Sequence, residues 1–354
     1  MVRAKHVIAW GRHDPEYARN RTLRLAWQDL GWTLSEFRPC LSPLADLEAF
    51  LRGLPKPDLI WVPGFRQRDL PAARRWSRRL QVPLLFDPLI SAYAKQVLER
   101  HKFAASSVSA KRLLQQEKAL FKSADLLLAD TRSHAAFFAE TFGIPLSRIA
   151  VVPLGAEEPL FSPSPQANRP DAPFEVLFLG SFIPLHGVET IAQAICAYQG
   201  PPVHWRFLGK GKERAHCENI LAGRSDVSFD GWIPYVKVPE AIALSDLVLG
   251  VFGTTPQAER AISNKVFQAL ACGRPVLTRT SDAYPDDAEA TSCLIQIPPG
   301  NPAALAQAVA ELAKNRSQMP ARNRAARALF DAHYSRTRIS SALAAALNCL
   351  SPSP

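Results

Sequence analysis

The residues best suited to chemistry lie in one segment of the chain, residues 249–278, with the sequence LGVFGTTPQAERAISNKVFQALACGRPVLT. A helix is predicted there over residues 264–271, with Ser263 or Asn264 as its N-cap. The free N–H groups of a first helical turn, together with the positive end of the helix dipole, suit a diphosphate. Lys265 lies in that turn, where a cation disfavours the helix unless a bound anion offsets the effect. We therefore expect Lys265 to bind a phosphate group, the alternative being an ordinary solvated lysine.

Two loops that follow predicted strands carry further candidate ligand contacts. The first is LFLGSFIPLHG at residues 177–187, and the second is FLGKGK at residues 207–212. Their glycines allow the backbone to turn tightly or to approach a ligand; these are Gly180, Gly187 and Gly209. His186 and Lys210 are candidate cations for a diphosphate, and a neighbouring phosphate would favour the protonated form of His186. The alternative for His186 is a neutral ring that caps the following helix.

In the order in which they occur, these segments resemble the donor-site motifs of the family 4 glycosyltransferases of GT-B architecture. The family pattern has two Glu residues separated by seven others, and the run QALACGRPV from Gln268 fits its second half. Gln268 replaces the Glu that accepts hydrogen bonds from the donor ribose, and its amide can still accept through the carbonyl oxygen. The first Glu falls on Arg260, with Glu259 one position away. In the first glycine loop, Ser181 replaces the family's Arg and His186 replaces its Lys.

The resemblance implies that a sugar is transferred with retention from a nucleoside diphosphate sugar, without a metal ion or a cofactor. Consistent with this, the sequence has no Asp-x-Asp pair after a strand and no His, Cys or carboxylate cluster with metal-ligand spacing. The catalytic residues that the resemblance implies are Asp87, His186 and Lys265. The implied donor-binding residues are Gly180, Ser181, Gly187, Gly209, Lys210, Gly253, Thr254, Thr255, Arg260, Asn264, Lys265, Val266 and Gln268.

The first half of the chain contains the expected acceptor side. The segment HVIAWGRHDP is a strand followed by a loop, and its Gly11, Arg12 and His13 are expected to face the acceptor. The segment LLFDPLIS ends a strand at Asp87, where relatives often carry a polar residue near the reacting centre. Trp232, in the second half, is interpreted as a core residue in preference to a contact with the base.

Predicted strands alternate with predicted helices along the whole chain, which indicates parallel sheets with helices on both faces. Strands are expected at residues 6–10, 59–62, 83–86, 125–129, 149–152, 175–179, 203–208, 227–229, 247–251, 275–278 and 294–297. Helices are expected at residues 20–30, 70–80, 109–121, 187–198, 238–244, 264–271, 303–314 and 337–347. The fold class is therefore α/β, and the resemblance implies two Rossmann-like domains that face each other across a cleft.

A proline-rich stretch separates the two halves. Residues 157–173 contain five prolines, a composition that neither a helix nor a sheet tolerates. We interpret it as a linker between an N-terminal acceptor-side domain, residues 1–156, and a donor domain, residues 174–336. Residues 337–354 are expected to form a C-terminal helix that can return to the first domain.

The charge and the cysteines of the sequence indicate where the protein works and which partners suit it. The net charge is +10, and residues 1–160 hold 24 Lys and Arg against 16 Asp and Glu. Six scattered cysteines and no apparent signal peptide or membrane span predict a cytoplasmic protein with mostly buried, reduced thiols. Arg75, Arg78 and Arg79 share one helix face beside Trp76, which suits either anionic lipid headgroups or a solvated surface. Nucleic acid is not an expected partner, because no recognition pattern accompanies the charge.

The sequence therefore predicts a hexosyltransferase that uses a nucleotide sugar donor and a glycan or lipid-linked acceptor. Two alternatives stay open: a sugar-nucleotide-binding protein with weak or no catalysis, motivated by Ser181, Arg260 and Gln268, and a sugar-nucleotide epimerase of the same fold.

Overall fold

The computed structural model describes residues 4–163 and 172–350, so the central part of the predicted linker, residues 164–171, lies outside the described residues. The chain divides into two compact units. One runs to Leu154 and resumes at Arg336, and the other is Gly155–Ser335. The expected boundaries after residues 156 and 336 lie within two residues of these divisions.

The first unit is built on a six-stranded parallel sheet. Its strands are β1 (His6–Trp10), β2 (Thr33–Phe37), β3 (Leu59–Val62), β4 (Leu84–Phe86), β5 (Leu126–Ala129) and β6 (Ile149–Val151), in the order β2-β1-β3-β4-β5-β6. Its helices are α1 (Ala18–Asp29), α2 (Ala45–Leu51), α3 (Leu70–Leu80), α4 (Val108–Ser123) and α5 (Arg132–Phe142). Strands such as β3 and β5 are buried along their whole length, as expected for a parallel sheet covered on both faces.

The second unit has its own six-stranded parallel sheet. Its strands are β7 (Phe174–Leu179), β8 (Val203–Leu208), β9 (Val227–Asp230), β10 (Leu247–Leu249), β11 (Val276–Arg279) and β12 (Leu294–Ile297). Its helices are α6 (Val188–Ala197), α7 (Arg214–Ile220), α8 (Val238–Ala243), α9 (Pro256–Arg260), α10 (Asn264–Ala271), α11 (Ala288–Cys293), α12 (Pro302–Lys314) and α13 (Met319–His333). The strand order β12-β11-β10-β7-β8-β9 makes the chain reverse direction between β7 and β10. In open α/β sheets, ligands bind at the carboxyl ends of the two strands that flank such a switch point.

The last helix, α14 (Arg336–Asn348), belongs to the first unit and packs against α1. Its buried residues Ile339, Leu343 and Ala346 join the apolar cluster that covers one face of the first sheet. Arg336 Nε donates to Asp29 Oδ2 at 2.8 Å, and Ser340 Oγ donates to the same carboxylate at 2.8 Å.

The predicted fold class and all eleven predicted strands are confirmed, with boundaries that shift by up to two residues. The sequence analysis missed β2, whose sequence TLSEF carries only one fully buried side chain because it forms the edge of the sheet. The expectation that the thiols are mostly buried is wrong, since Cys40, Cys196 and Cys349 are exposed. Among the described residues, no helix combines the length and the apolar character that crossing a bilayer requires.

Candidate functional site

The second unit contains a cavity of about 310 Å³ at the carboxyl ends of β7 and β8. The start of α10 lies beside it, so the cavity adjoins the switch point of the sheet. The lining residues are Leu179, Gly180, Ser181, His186, Leu208, Gly209, Trp232, Ile233, Tyr235, Val238, Ser263, Asn264, Lys265 and Gln268. The lining thus combines an apolar part with a few polar groups, which is the usual composition of a small-molecule site.

Helix α10 brings three of these polar residues to the cavity. It begins at Asn264 after an extended N-cap residue, Ser263, whose side chain makes no capping hydrogen bond. Val266 is fully buried, which anchors the helix in the core and leaves Asn264, Lys265 and Gln268 along the cavity. The predicted N-cap position is therefore right, but backbone N–H groups of the first turn are left without a side-chain cap.

Lys265 is 3% exposed and lies at the switch point itself. Its Nζ donates to the carbonyl oxygen of Gly250, directly after β10, at 3.1 Å. The same atom lies 4.0 Å from the centre of the Phe178 ring, near the end of β7. Burial lowers the pKa of Lys265 well below its usual value, because the charged form has lost its water. An anion placed beside Nζ would reverse that shift and make Lys265 a full cation.

His186 lines the same cavity as a neutral ring. Burial, and then the neighbouring charge of Lys265, lower the pKa of His186 to about 3. Its Nδ1 lies 2.5 Å from the carbonyl oxygen of Ser181, so Nδ1 carries the proton and donates to it. Nε2 is then an acceptor. The ring is thus neutral in the ligand-free protein and closes its own loop rather than capping α6, and its protonation beside a phosphate stays a prediction.

Two glycines let the loops after β7 and β8 meet at the cavity. A Cβ on Gly209 would lie 2.0 Å from the carbonyl oxygen of Gly180, and Gly209 has a φ of 136°. Real side chains do not approach a carbonyl so closely, and L-residues rarely adopt this φ. Gly209 is therefore required for the two loops to form one edge of the cavity.

A chain of hydrogen bonds supports the far side of the cavity. Gln268 Nε2 donates to Tyr235 Oη at 3.4 Å, and Tyr235 Oη donates to Glu157 Oε1 at 3.0 Å. The Phe161 ring packs edge-on against Tyr235 at 5.5 Å between ring centres. The described start of the predicted linker thus holds Tyr235, which in turn orients the amide of Gln268.

Trp232 is 69% exposed and lines the cavity, so its interpretation as a core residue is wrong. Lys210 Nζ lies 5.6 Å from the centre of that indole ring but does not itself line the cavity. The sequence analysis also missed the apolar lining residues Leu179, Leu208, Ile233 and Val238 and the phenol of Tyr235. Their signal is their position: Leu179 and Leu208 end β7 and β8, and the other three lie between β9 and the start of α8, so all of them fall at the carboxyl ends of strands, which share one edge of a parallel sheet.

Several predicted donor-binding residues do not line the cavity. Gly187 and Gly253 pack against each other, and a Cβ on Gly187 would lie 2.6 Å from the Gly253 nitrogen. Thr255 caps α9 by accepting from the Ala258 N–H at 3.2 Å. The others that stay outside are Thr254, which is exposed, Arg260, which is half-buried, and Val266, which is in the core. Thr255 and Val266 thus position α9 and α10 rather than line the cavity.

The predicted acceptor residues of the first unit serve its fold. Arg12 Nε donates to the Pro39 carbonyl oxygen at 2.6 Å, which ties the guanidinium to a neighbouring loop. His13 is buried, and this burial lowers its pKa. A Cβ on Gly11 would lie 2.6 Å from Asp69 Oδ2, so Gly11 is a packing residue. Gly11 and His13 are buried and so lack the open placement that the acceptor-side prediction requires, whereas Arg12 is exposed but has its guanidinium tied to the neighbouring loop.

Asp87 does not fit the predicted catalytic role. Its carboxylate is fully buried and accepts from Arg19 Nε at 2.9 Å and from Arg19 Nη2 at 3.1 Å. Arg19 also donates to the Val152 carbonyl oxygen at 2.5 Å. The pair therefore ties α1 to the ends of β4 and β6, and its charges are committed to each other.

Within residues 4–163 and 172–350, no group of three or more His, Cys, Asp or Glu is arranged to hold a metal ion. The fold and the cavity define a two-domain α/β protein whose second unit has a phosphate-suited crevice at its switch point. Residues 173–315 match the family model described as glycosyl transferases group 1, and residues 4–155 match the glycosyl transferase 4-like domain. The chain belongs to this family of GT-B glycosyltransferases.

Solved structures share the fold along their whole length. HepE from Anabaena, in complex with UDP and glucose, has a TM-score of 0.70 at 16% identity, covering 98% of this chain and 100% of that chain. Sucrose-phosphate synthase from Thermosynechococcus elongatus has a TM-score of 0.72 at 18% identity, covering 98% and 99%. A glycosyltransferase from Rickettsia africae has a TM-score of 0.69 at 11% identity, covering 99% and 100%. At these identities the likeness shows the fold alone. No curated protein sequence matches the chain.

Proposed function

We propose that the protein transfers a hexose from a nucleoside diphosphate sugar to a hydroxyl group of a glycan or lipid-linked acceptor, with retention and without a metal ion. The observation that carries the proposal is Lys265, a buried lysine beside an uncapped helix start at the switch point of the second sheet. The family supports glycosyl transfer, and the relative HepE has been solved with UDP and glucose.

Each side of the cavity suits one part of such a donor. The diphosphate would lie against Lys265 and the first-turn N–H groups of α10, which meet the charge that grows as the glycosidic bond breaks. Gln268 would accept from the ribose through Oε1, because Nε2 already donates to Tyr235. The exposed Trp232 ring offers an apolar face for the base. His186 would accept a sugar hydroxyl at Nε2.

A panel of UDP-, GDP-, ADP- and TDP-sugars tests donor binding. A specific donor at a hundredfold excess over its Kd should stabilise the protein by about 2.7 kcal/mol, read as a thermal shift. The product of the stabilising donor is then analysed by NMR for its anomeric configuration, with and without EDTA. Failure of every nucleotide sugar to stabilise the protein would refute the proposal, and an inverted product or an EDTA-sensitive rate would refute its finer parts.

One observation favours a second candidate, a binding protein with little catalysis. No Asp or Glu is among the residues that line the described cavity, and Arg260 lies outside it where the family has its first Glu. Tight donor binding with neither transfer nor hydrolysis over hours would favour this candidate. Conversion of the donor to another sugar nucleotide without any acceptor would instead identify an epimerase.

We also propose that the protein works in the cytoplasm against an anionic membrane, where a lipid-linked acceptor would lie. Helix α2 and the turn before it expose a cluster of large apolar side chains: Leu41, Leu44, Leu47, Phe50 and Leu51. Arg79 stacks on Phe50 with its guanidinium carbon 4.2 Å from the ring centre, and Arg75 pairs with Asp46 at 2.6 Å. Exposed apolar groups flanked by cations suit an anionic lipid surface.

Flotation with vesicles tests the membrane proposal. Wild-type protein should float with vesicles that contain phosphatidylglycerol, and the Leu47→Ser/Leu51→Ser variant should remain in the soluble fraction. Val108→Ser/Leu146→Ser is the matched control, because both side chains are exposed in the same unit outside the cluster. Equal flotation of all three proteins would contradict a role for α2.

A further inference from the structure

The first unit contains a second cavity, of about 350 Å³, at the carboxyl ends of β3 and β4. Its walls come from the loops that follow these two strands and from a π-helical turn, Ala94–Glu99, with the residues after it. The lining residues are Phe65, Gln67, Ile90, Ser91, Ala92, Lys95, Gln96, Arg100 and Lys102. The edge of a parallel sheet where strands end is the usual place for a ligand in this class of fold.

The lining of this cavity is cationic. Lys95, Arg100 and Lys102 line it without any acidic residue among the described lining, and none of the three forms an ion pair within the described parts of the chain. The nearby carboxylates are Glu117 and Glu99; burial raises the pKa of Glu99, against the charges of Arg100 and Lys95, which lower it. Glu117 lies underneath, where its carboxylate accepts from Ser91 Oγ at 2.6 Å and from the Ala92 and Tyr93 N–H groups at 2.7 Å each. The Glu117 carboxylate therefore holds the loop that contains Ser91 and Ala92 in place.

The same cavity is surrounded by strained backbone. Four non-glycine residues in the described parts of the chain have positive φ, and three of them line or adjoin the cavity: Phe65 at 65°, Leu89 at 57° and His101 at 47°. Such conformations cost free energy and persist where the surrounding structure imposes them, often at binding sites. Phe65 is 40% exposed, and Lys95 Nζ lies 5.7 Å from the centre of its ring.

We infer that this cavity binds a phosphate group carried by the acceptor, with Lys95, Arg100 and Lys102 as the phosphate contacts and Phe65 as an apolar platform for the group next to it. Cations that form no ion pair favour an anion, and an exposed aromatic face suits a sugar ring or an alkyl chain. The inference rests on the proposed function in taking the ligand to be the acceptor. It assigns that acceptor to the phosphorylated class.

Inorganic pyrophosphate is the probe, titrated calorimetrically into protein saturated with UDP so that the donor cavity is filled. The Lys95→Gln/Arg100→Gln variant should bind pyrophosphate at least about fivefold more weakly than wild type, because two charge-assisted contacts are lost. Lys111→Gln/Arg112→Gln is the control, since it removes the same charge from exposed positions on α4 outside the cavity. Its affinity should stay at the wild-type value.

The outcomes separate this inference from the proposed function. The phosphate site would be overturned by any of three results: wild-type protein does not bind pyrophosphate, Lys95→Gln/Arg100→Gln binds it as tightly as wild type, or Lys111→Gln/Arg112→Gln weakens binding as much as the cavity variant. These results count whether or not UDP binds. If UDP does not bind in the preceding titration, GDP, ADP and TDP are titrated in its place; failure of all four would overturn the donor proposal, and the pyrophosphate result would then be read by itself. Competition with vesicles of phosphatidylcholine, with and without phosphatidic acid, then identifies which kind of molecule carries the phosphate group. Competition by phosphatidic acid assigns a lipid headgroup, and its absence assigns a soluble phosphate ester.

Discussion

Replacing Lys265 with methionine removes the amine from the cavity of the second unit and keeps a stem that can lie over the Phe178 ring. The amine has lost its water and has one hydrogen bond, to Gly250, at 3.1 Å. Desolvating a polar group costs about 1–3 kcal/mol and one hydrogen bond returns about 1 kcal/mol. We therefore expect the Lys265→Met protein to be more stable than wild type by about 1 kcal/mol.

The same change should weaken donor binding. A charge-assisted contact to phosphate is worth about 1.5–3 kcal/mol, which is roughly a tenfold to a hundredfold loss of affinity for UDP. Binding should also raise the pKa of Lys265, because a phosphate favours the ammonium form, so wild-type protein should take up protons as UDP binds and its affinity should fall as the pH rises. The methionine variant should take up less, by up to one proton.

Urea denaturation and UDP calorimetry in buffers of different ionisation enthalpy measure both effects. Lys212→Met is the control, because Lys212 is exposed in the same unit and does not line the cavity. An unchanged UDP affinity in Lys265→Met would refute the assigned role. Destabilisation by more than about 1 kcal/mol would show that the bond to Gly250 is structural and that the desolvation argument fails.

Three further predictions concern other buried groups. Asp87→Asn should lower the free energy of unfolding by about 3–5 kcal/mol in urea, because Arg19 is left as an unpaired buried charge; a loss below about 1 kcal/mol would contradict that reading. Gly209→Ala should lower the melting temperature and the UDP affinity together, since its Cβ would meet Gly180; a wild-type melting curve would exclude the contact. His186 has a folded-state pKa near 3 against an ordinary value of 6.5, so the unfolded chain takes up the proton first as the pH falls. As the pH falls from 6.5 to about 5, His186 should lower the free energy of unfolding by about 1 kcal/mol, after allowance for its partial exposure. His186→Gln should remove that loss.

The sequence was informative where local patterns determine the structure. The helix containing Lys265 was predicted at its observed bounds, because a small polar N-cap precedes a run of apolar and small residues that packs into the core. The strands were predicted because buried parallel strands are short apolar runs.

What the sequence could not predict depends on contacts between distant residues. Asp87 has the composition of a catalytic carboxylate, and only the fold shows that Arg19, from α1, neutralises it. Trp232 was assigned to the core because large aromatic residues usually lie there, but it follows a strand end and stays exposed beside the cavity. Gly187 and Gly253 carry the pattern of ligand-binding glycines, yet they pack on each other.

Helix α14 determines the order in which the chain can complete its folding during synthesis. Ile339, Leu343 and Ala346 fill part of the apolar layer of the first unit, so that layer stays open to water until α14 has left the ribosome. The second unit ends at Ser335 and has all of its strands and helices earlier. The half of the protein that is translated first is therefore the half that finishes folding last.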